Sequence, residues 1–163
     1  DNMNEHIEYS FYKELSFLQK LIQVLLGMIG ILVILISFLL PIFFMIGFFI
    51  LMIAYLMKYH YDREIEYLIF DDQLEIDEII HNRKRKKLYD VNLKEMTALV
   101  EYDRESFLKY PKKCRKDFSN LNKQNVYMLL FTHQNENYCL LIQGNDKHLE
   151  ALKRRLVFKG GLR

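Results

Sequence analysis

The chain has 163 residues, 27% of them charged, with a formal net charge of only +2. That near-balance argues against strong nucleic-acid binding, and a mean hydropathy near zero conceals two unlike parts. No charged residue occurs from Leu21 to Met57, whereas residues 61–163 carry 20 Lys/Arg against 17 Asp/Glu.

Ahead of the apolar run, Ile7, Phe11, Leu15 and Leu18 recur at the spacing of one helical face. They predict a helical extension of the first membrane helix, or a helix lying in the membrane interface. The apolar run itself far exceeds the roughly 18 residues that suggest a transmembrane helix. A helix apolar on every face has nothing in a soluble core to bury against. As one straight helix it would reach roughly 55 Å at about 1.5 Å per residue, against a hydrocarbon layer of about 30 Å.

Pro41 divides the run: it lacks an amide hydrogen, disfavours helix at Leu40 and suits the first turn of a new helix. Two spans are predicted, about 21–39 and 41–57, folded as a hairpin. A re-entrant hairpin and a single tilted helix are the alternatives. Gly27, Gly30 and Gly47 would let the two backbones approach closely. Lys13 and Lys20 precede the run, Lys58 and Arg63 follow it, and the far turn has no basic residue, so both termini are expected in the cytoplasm. The mixed-charge first twenty residues and the length of the run predict no cleavable signal peptide. Tyr55, Tyr59 and Tyr61 suit an interfacial aromatic belt.

After Tyr61 the period shortens to two. "EIEYLIF" and "LEIDEII" predict a hairpin turning at Asp71 and Asp72; "KKLYDV" and "MTALVEY" predict a third and a fourth strand. "NVYMLLFTH" and "NYCLLIQ" flank the polar stretch Gln134 to Asn137 and predict a second hairpin. "DKHLEALKRRLVF" closes the chain as a helix with a stripe of Leu149, Leu152 and Leu156 and an N-cap at Asp146. The fold class expected is α+β: an N-terminal membrane hairpin within residues 1–60, then a domain at 61–163 whose terminal helix covers an open edge or end of a curved sheet.

The stretch "IEYLIFDDQLEIDEIIHNRKRKKLYDV", directly after a two-helix anchor, resembles the opening strands of bacterial pleckstrin-homology-like (PH-like) domains. More narrowly, the chain from Leu21 to Val157 is similar to an uncharacterised family of small two-span bacterial membrane proteins bearing such a domain. The resemblance implies a PH-like antiparallel β-barrel, partly open, capped by its C-terminal helix, and brings no catalytic residues. Asp71-Asp72-Gln73 departs from the glycine-containing turn more usual in such hairpins.

The candidate binding residues are Arg83, Lys84, Arg85, Lys86 and Lys87. Side chains alternate across a strand, so five consecutive cations cannot share one face, and the run is expected in an exposed turn and the protruding start of a strand. Beside a cytoplasmic leaflet such residues gain about 1 kcal/mol each from anionic lipid. The rival readings are a solvated hairpin tip that reinforces topology and contact with an acidic protein. Weaker candidates are Lys112, Lys113, Arg115 and Lys116, which with Lys109 surround Tyr110 and Pro111 in a long connection expected to be irregular and solvated, with one edge strand near Arg115 to Phe118.

The acidic group Asp71, Asp72, Glu75, Asp77 and Glu78 lacks calcium-loop spacing and reads as a solvated hairpin. Cys114 and Cys139 are expected as free thiols. His6, His60, His81, His133 and His148 are scattered without metal spacing, and no phosphate loop or nucleophile elbow is present. The sequence therefore points to a non-catalytic, membrane-anchored binding or scaffolding module without metal or cofactor. Its expected partners are membrane lipid and another membrane protein, not nucleic acid. The competing class is a structural subunit of a larger membrane complex that uses the hairpin as its interface.

Overall fold

The computed structural model describes residues 7–160, with side-chain environments through residue 156. It opens with a strand, β1 (Ile7–Tyr12), followed by two long helices, α1 (Phe17–Ile36) and α2 (Ile42–Tyr61). The helical extension expected over this first segment is thus corrected to a strand. A spacing of four, Ile7 to Phe11, fits both a helical face and one side of a strand. The alternation of Ile7, Tyr9 and Phe11 toward the core with Glu8, Ser10 and Tyr12 away from it decides for the strand.

α1 begins four residues earlier than expected because Ser16 and Gln19 form a capping box: Ser16 Oγ accepts from the Gln19 amide at 3.3 Å, and Gln19 Oε1 accepts from the Ser16 amide at 3.0 Å. The helix stops at Ile36, whose C-cap Ser37 turns its hydroxyl back to the Ile34 carbonyl. Pro41 is the N-cap of α2, which continues to Tyr61. Both helices have 20 residues and are long and apolar enough to cross a membrane. They run antiparallel. A Cβ at Gly30 would meet Leu51 at 2.7 Å, and one at Gly47 would meet Ile34 at 2.6 Å and Gly30 O at 3.1 Å, so glycine alone permits this approach. Gly27, expected beside them, faces open space.

The rest is two four-stranded sheets. In the first, β1, β2 (Arg63–Phe70), β3 (Gln73–Ile80) and β4 (Lys84–Asn92) lie in that order, all antiparallel. In the second the order is β5 (Met96–Glu101), β7 (Val126–His133), β8 (Glu136–Gln143) and β6 (Arg115–Asp117), the last running parallel to β8. The sheets do not close into a barrel; the curved-sheet alternative is the one that fits. Ile65, Tyr67, Ile69, Leu74 and Ile76 from the first sheet meet Leu129, Phe131, Leu140 and Ile142 from the second. α4 (Asp146–Gly160) packs on β1 and β5 and seals the core with Ala151 and Leu152. Its cap is Asn145, one residue before the expected Asp146: Asn145 Oδ1 accepts from the His148 amide at 2.9 Å.

Turn chemistry follows from residues that tolerate positive φ. Asp71 supplies φ 51 in the first hairpin without a glycine, and His81 and Asn82, both at φ 53, shape the turn into β4. Gln134 and Asn135 alone join β7 to β8, so this loop is two residues long rather than the four expected. The long connection after β5 is also more ordered than expected. α3 (Arg104–Lys109) and the turn Lys112–Cys114 cover the second sheet's outer face, where Tyr102, Phe107 and Tyr110 pack on Val126, Met128, Cys139 and Leu141. Of this stretch, the edge strand near Arg115 is as expected.

Candidate functional site

Register places the basic run at the hairpin end of the domain. α2 leads through Asp62 into β2, so Arg63 marks that end; it pairs with Ile80, and Ile80 pairs with Lys84. Lys87 lies opposite Asp77, itself opposite Glu66. At about 3.3 Å per residue, the run from Lys84 to Lys87 reaches only about 10 Å from the level of Arg63. Arg83 sits in the turn, and Lys84 to Lys87 open β4, an edge strand of its sheet. All five are exposed.

The two sides of the strand use their cations differently. On the outer side Arg85 lies 2.7 Å from Glu66 Oε2 and 3.3 Å from Asp77 Oδ2, and Lys87 lies 2.8 Å from Asp90 and 3.7 Å from Glu75. The Arg85–Glu66 approach is a charge contact without an aligned hydrogen bond, whereas the Asp77 contact meets hydrogen-bond geometry. Burial pushes the Glu66 carboxyl up, Arg85 opposes the rise, and Glu8, Asp77 and Glu64 add to it. Arg83, Lys84 and Lys86 make no ion pair with a described residue.

The acidic group is therefore solvated only in part: Asp71 and Asp72 are exposed in the turn as expected and Glu75 is half-buried, but Asp77 and Glu78 are not solvated. Asp77 is 2% exposed and Glu78 6% exposed, Glu78 bonding Arg63 Nη1 at 2.9 Å on the core side. A bulge at Leu88 contributes to this arrangement: Ile76 pairs with Tyr89 but Asp77 with Lys87, which shifts the basic residues into register with the acids. Sequence reasoning missed this compensation. The readable signal was the opposite-charge pairing of "EIDE" against "RKK", but register had to be known first.

The second basic cluster lies elsewhere. Asn122 Nδ2 bonds Glu14 at 2.9 Å, which brings the start of β7 to the hairpin end and leaves Glu136, seven residues before Gln143 on β8, at the far end. Lys113 is paired with Glu136 there, and holds that carboxyl below the usual range. Arg115 donates to Leu108 O at 3.0 Å and stacks over Phe107 at 5.6 Å, so it fastens α3. Lys112 and Lys116 stay exposed without ion pairs among the described residues. Lys109, Tyr110, Lys113, Cys114 and Glu136 line a cavity of about 590 Å³. Cys114 and Cys139 are both buried and form no disulfide, Cys114 Sγ donating to Glu136 Oε2 at 3.9 Å, and burial pushes the Cys139 thiol up to about 11, which makes it a poor nucleophile.

A polar thread crosses the core and fixes the two sheets to each other. The Tyr67 hydroxyl donates to Phe118 O and accepts from the Gln143 amide at 3.2 Å. Gln143 Oε1 accepts from Asn120 at 2.6 Å, and its Nε2 approaches the Tyr9 hydroxyl at 3.4 Å. Burial pushes the Tyr67 phenol above its ordinary range, so it remains a donor. The thread is structural, with each main partner supplied by a different element.

No curated protein and no solved structure matches the chain. The family model described as Bacterial PH-like domain (DUF6106) matches residues 3–159, nearly the whole chain including the hairpin, and with two apolar helices followed by curved sheets and a closing helix the chain belongs to that family.

Proposed function

We propose that this protein is a two-span membrane protein whose PH-like domain and both termini lie in the cytoplasm, and that it acts as a non-catalytic binding or scaffolding module using Arg83 to Lys87 against anionic lipid. PH-like domains are in general non-catalytic and commonly bind lipids or proteins. The observation that carries the reading is register: the basic run begins level with Arg63, directly beyond the end of α2. Lys13, Lys20, Lys58 and Arg63 flank the spans at that same end, whereas residues 37–41 carry no charge, which supports its cytoplasmic placement. Within the run, Arg83, Lys84 and Lys86 have charge to spare for lipid, since Arg85 and Lys87 are engaged by carboxylates.

The test uses the full chain in nanodiscs, because β1 precedes the hairpin and a fragment starting at Tyr61 lacks it. Paramagnetic relaxation from head-group-labelled lipid is read at residues 82–87. Closer approach in anionic than in neutral bilayers, reversed by added salt and by Arg83→Gln with Lys84→Gln and Lys86→Gln, supports the reading. Equal relaxation in both lipids overturns it. If another membrane protein co-purifies through the hairpin in that case, the chain is instead a structural subunit of a larger complex.

A further inference from the structure

A second cavity, of about 450 Å³, lies where hairpin and domain meet. Four separate stretches build it: Lys13 comes from the β1–α1 connection, Tyr55 and Lys58 from the last turns of α2, Arg63 from the start of β2, and His81 from the turn before β4. Backbone bonding closes the junction, with the Lys13 amide on Arg63 O at 2.8 Å and the His81 amide on Asp62 O at 3.1 Å. The cavity is therefore part of the fold.

Its charges are not balanced internally. Arg63 is held by Glu78 and by the His60 carbonyl, each at 2.9 Å. Lys13 and Lys58 form no ion pair with a described residue, unlike Arg85, Lys87, Lys94, Lys113 and Lys123, each within 4 Å of an acid. The hydroxyls of Tyr12, Tyr55 and Tyr59, which also line the space, bond no described residue. With Tyr61, two lysines without an ion pair among the described residues and four tyrosines thus line one space, a set of donors whose chemistry matches the oxygens of a phosphodiester. The one carboxylate there, Asp62, bonds His81 at 3.0 Å and can also accept from a hydroxyl.

Position narrows the ligand further. Lys58 is the first charged residue after the uncharged run, and the face of α2 that carries the cavity-lining Tyr59 and Tyr55 continues, in steps of three and four residues, as apolar and exposed Met52, Phe48 and Met45. A molecule with its phosphate in the cavity can lay acyl chains along that face. We propose that the cavity binds the head group of one anionic glycerophospholipid, phosphodiester toward Lys13 and Lys58 and head-group hydroxyl toward Asp62. This site is separate from the basic strand and does not depend on Arg83 to Lys87 touching lipid.

The test is native mass spectrometry of the full chain in neutral detergent, titrated with phosphatidylglycerol or phosphatidylcholine. Phosphatidylglycerol is expected to be retained at higher occupancy. Lys13→Gln with Lys58→Gln should weaken that retention about tenfold or more, Lys58→Arg should preserve it, and the same charge change at the far end of the domain, Lys112→Gln with Lys116→Gln, should leave it unchanged. Equal retention of both lipids, unaltered retention in the Lys13 and Lys58 double variant, or equal loss in the Lys112 and Lys116 control each refutes the proposal. Displacement of the lipid by comparable concentrations of inorganic phosphate would identify a free-phosphate site and overturn the lipid assignment.

Discussion

His148, in the first turn of α4, is fully buried, and neither of its ring nitrogens hydrogen-bonds a described residue. It packs on Tyr67 and Tyr9 at ring-centroid distances of 5.6 and 6.0 Å, and burial alone pushes its pKa from 6.5 down to about 4. The folded protein therefore keeps it neutral at pH values where the unfolded chain protonates it. Because the folded value is the lower one, this contribution to stability is complete above the unfolded pKa and is lost as pH falls toward the folded one. At about 1.4 kcal/mol per pKa unit the full loss is about 3 kcal/mol, of which about 2 kcal/mol falls between pH 7 and pH 5. Glu66 works in the other direction: its raised pKa stabilises the fold when protonated, and that contribution fades as pH rises through the folded value. The perturbation to separate them is His148→Leu. Thermal unfolding of the full chain in detergent, followed by the near-ultraviolet signal of its tyrosines, should show wild type losing on the order of 5 °C between pH 7 and pH 5. The variant should lose much less and be at least as stable at pH 7, since it removes two unsatisfied polar atoms. The same acid slope in both proteins, or an imidazole that titrates near pH 6.5 in the folded chain, refutes the reasoning.

Other substitutions test the charge pattern, the hairpin and the first strand. Arg85→Gln leaves Glu66 and Asp77 facing each other across β2 and β3 and should cost about 2 kcal/mol, partly restored by Glu66→Gln with Asp77→Asn, whereas Lys84→Gln or Lys86→Gln should change stability by less than about 0.5 kcal/mol in chemical denaturation. Gly47→Ala drives a methyl against Ile34 and Gly30 O and should destabilise the helix pair by about 1–3 kcal/mol, while Gly27→Ala should be silent, both read by thermal unfolding of the helices in detergent. Ile7→Ala removes a side chain that is 4% exposed in the core and should cost about 2–4 kcal/mol in denaturant unfolding; no loss would mean β1 does not belong to the domain.

The hairpin was legible because its signal is local: absence of charge from Leu21 to Met57, one proline, and, at Gly30 and Gly47, glycines that permit close approach. The same holds for the two β-hairpins, where alternation and turn residues lie within one short window, and for the stripe Leu149, Leu152 and Leu156. What escaped depends on partners distant in sequence. β1 is a strand because β2, past the whole hairpin, offers it an edge. Asp77 and Glu78 are buried because Arg85 and Arg63 reach them, and residues 103–114 are ordered because the second sheet exposes an apolar outer face. Lys13 and Lys58 read as topology signals in sequence; only folding brings them to one cavity.

On the proposed two-span topology, the placement of the hairpin between two paired strands also sets how the domain meets the bilayer. Tyr12 is opposite Glu64, the Lys13 amide bonds Arg63 O, and Ser16 already caps α1, so the ladder of β1 and β2 passes into the helix pair with almost no free chain between. A flexible tether would let every surface of the domain sample lipid, with an effective concentration set by linker length. Here two chain crossings, held a strand spacing apart, fix its tilt and rotation. The surfaces near the lipid are then the β3–β4 turn, the start of β4 and the loop around Asn122. The turn at Asp71, its carbonyl gripped by Arg155 at 2.6 Å, and the cavity beside Cys114 and Glu136 point away from it, since β2 alone carries Asp71 about 25 Å from Arg63. The basic strand and the cavity beside Cys114 thereby lie at opposite ends of the domain. A bulky label attached at Asn135, beside Glu136, should leave lipid retention untouched, while the same label at Asn82 should abolish the approach of the basic strand to anionic head groups.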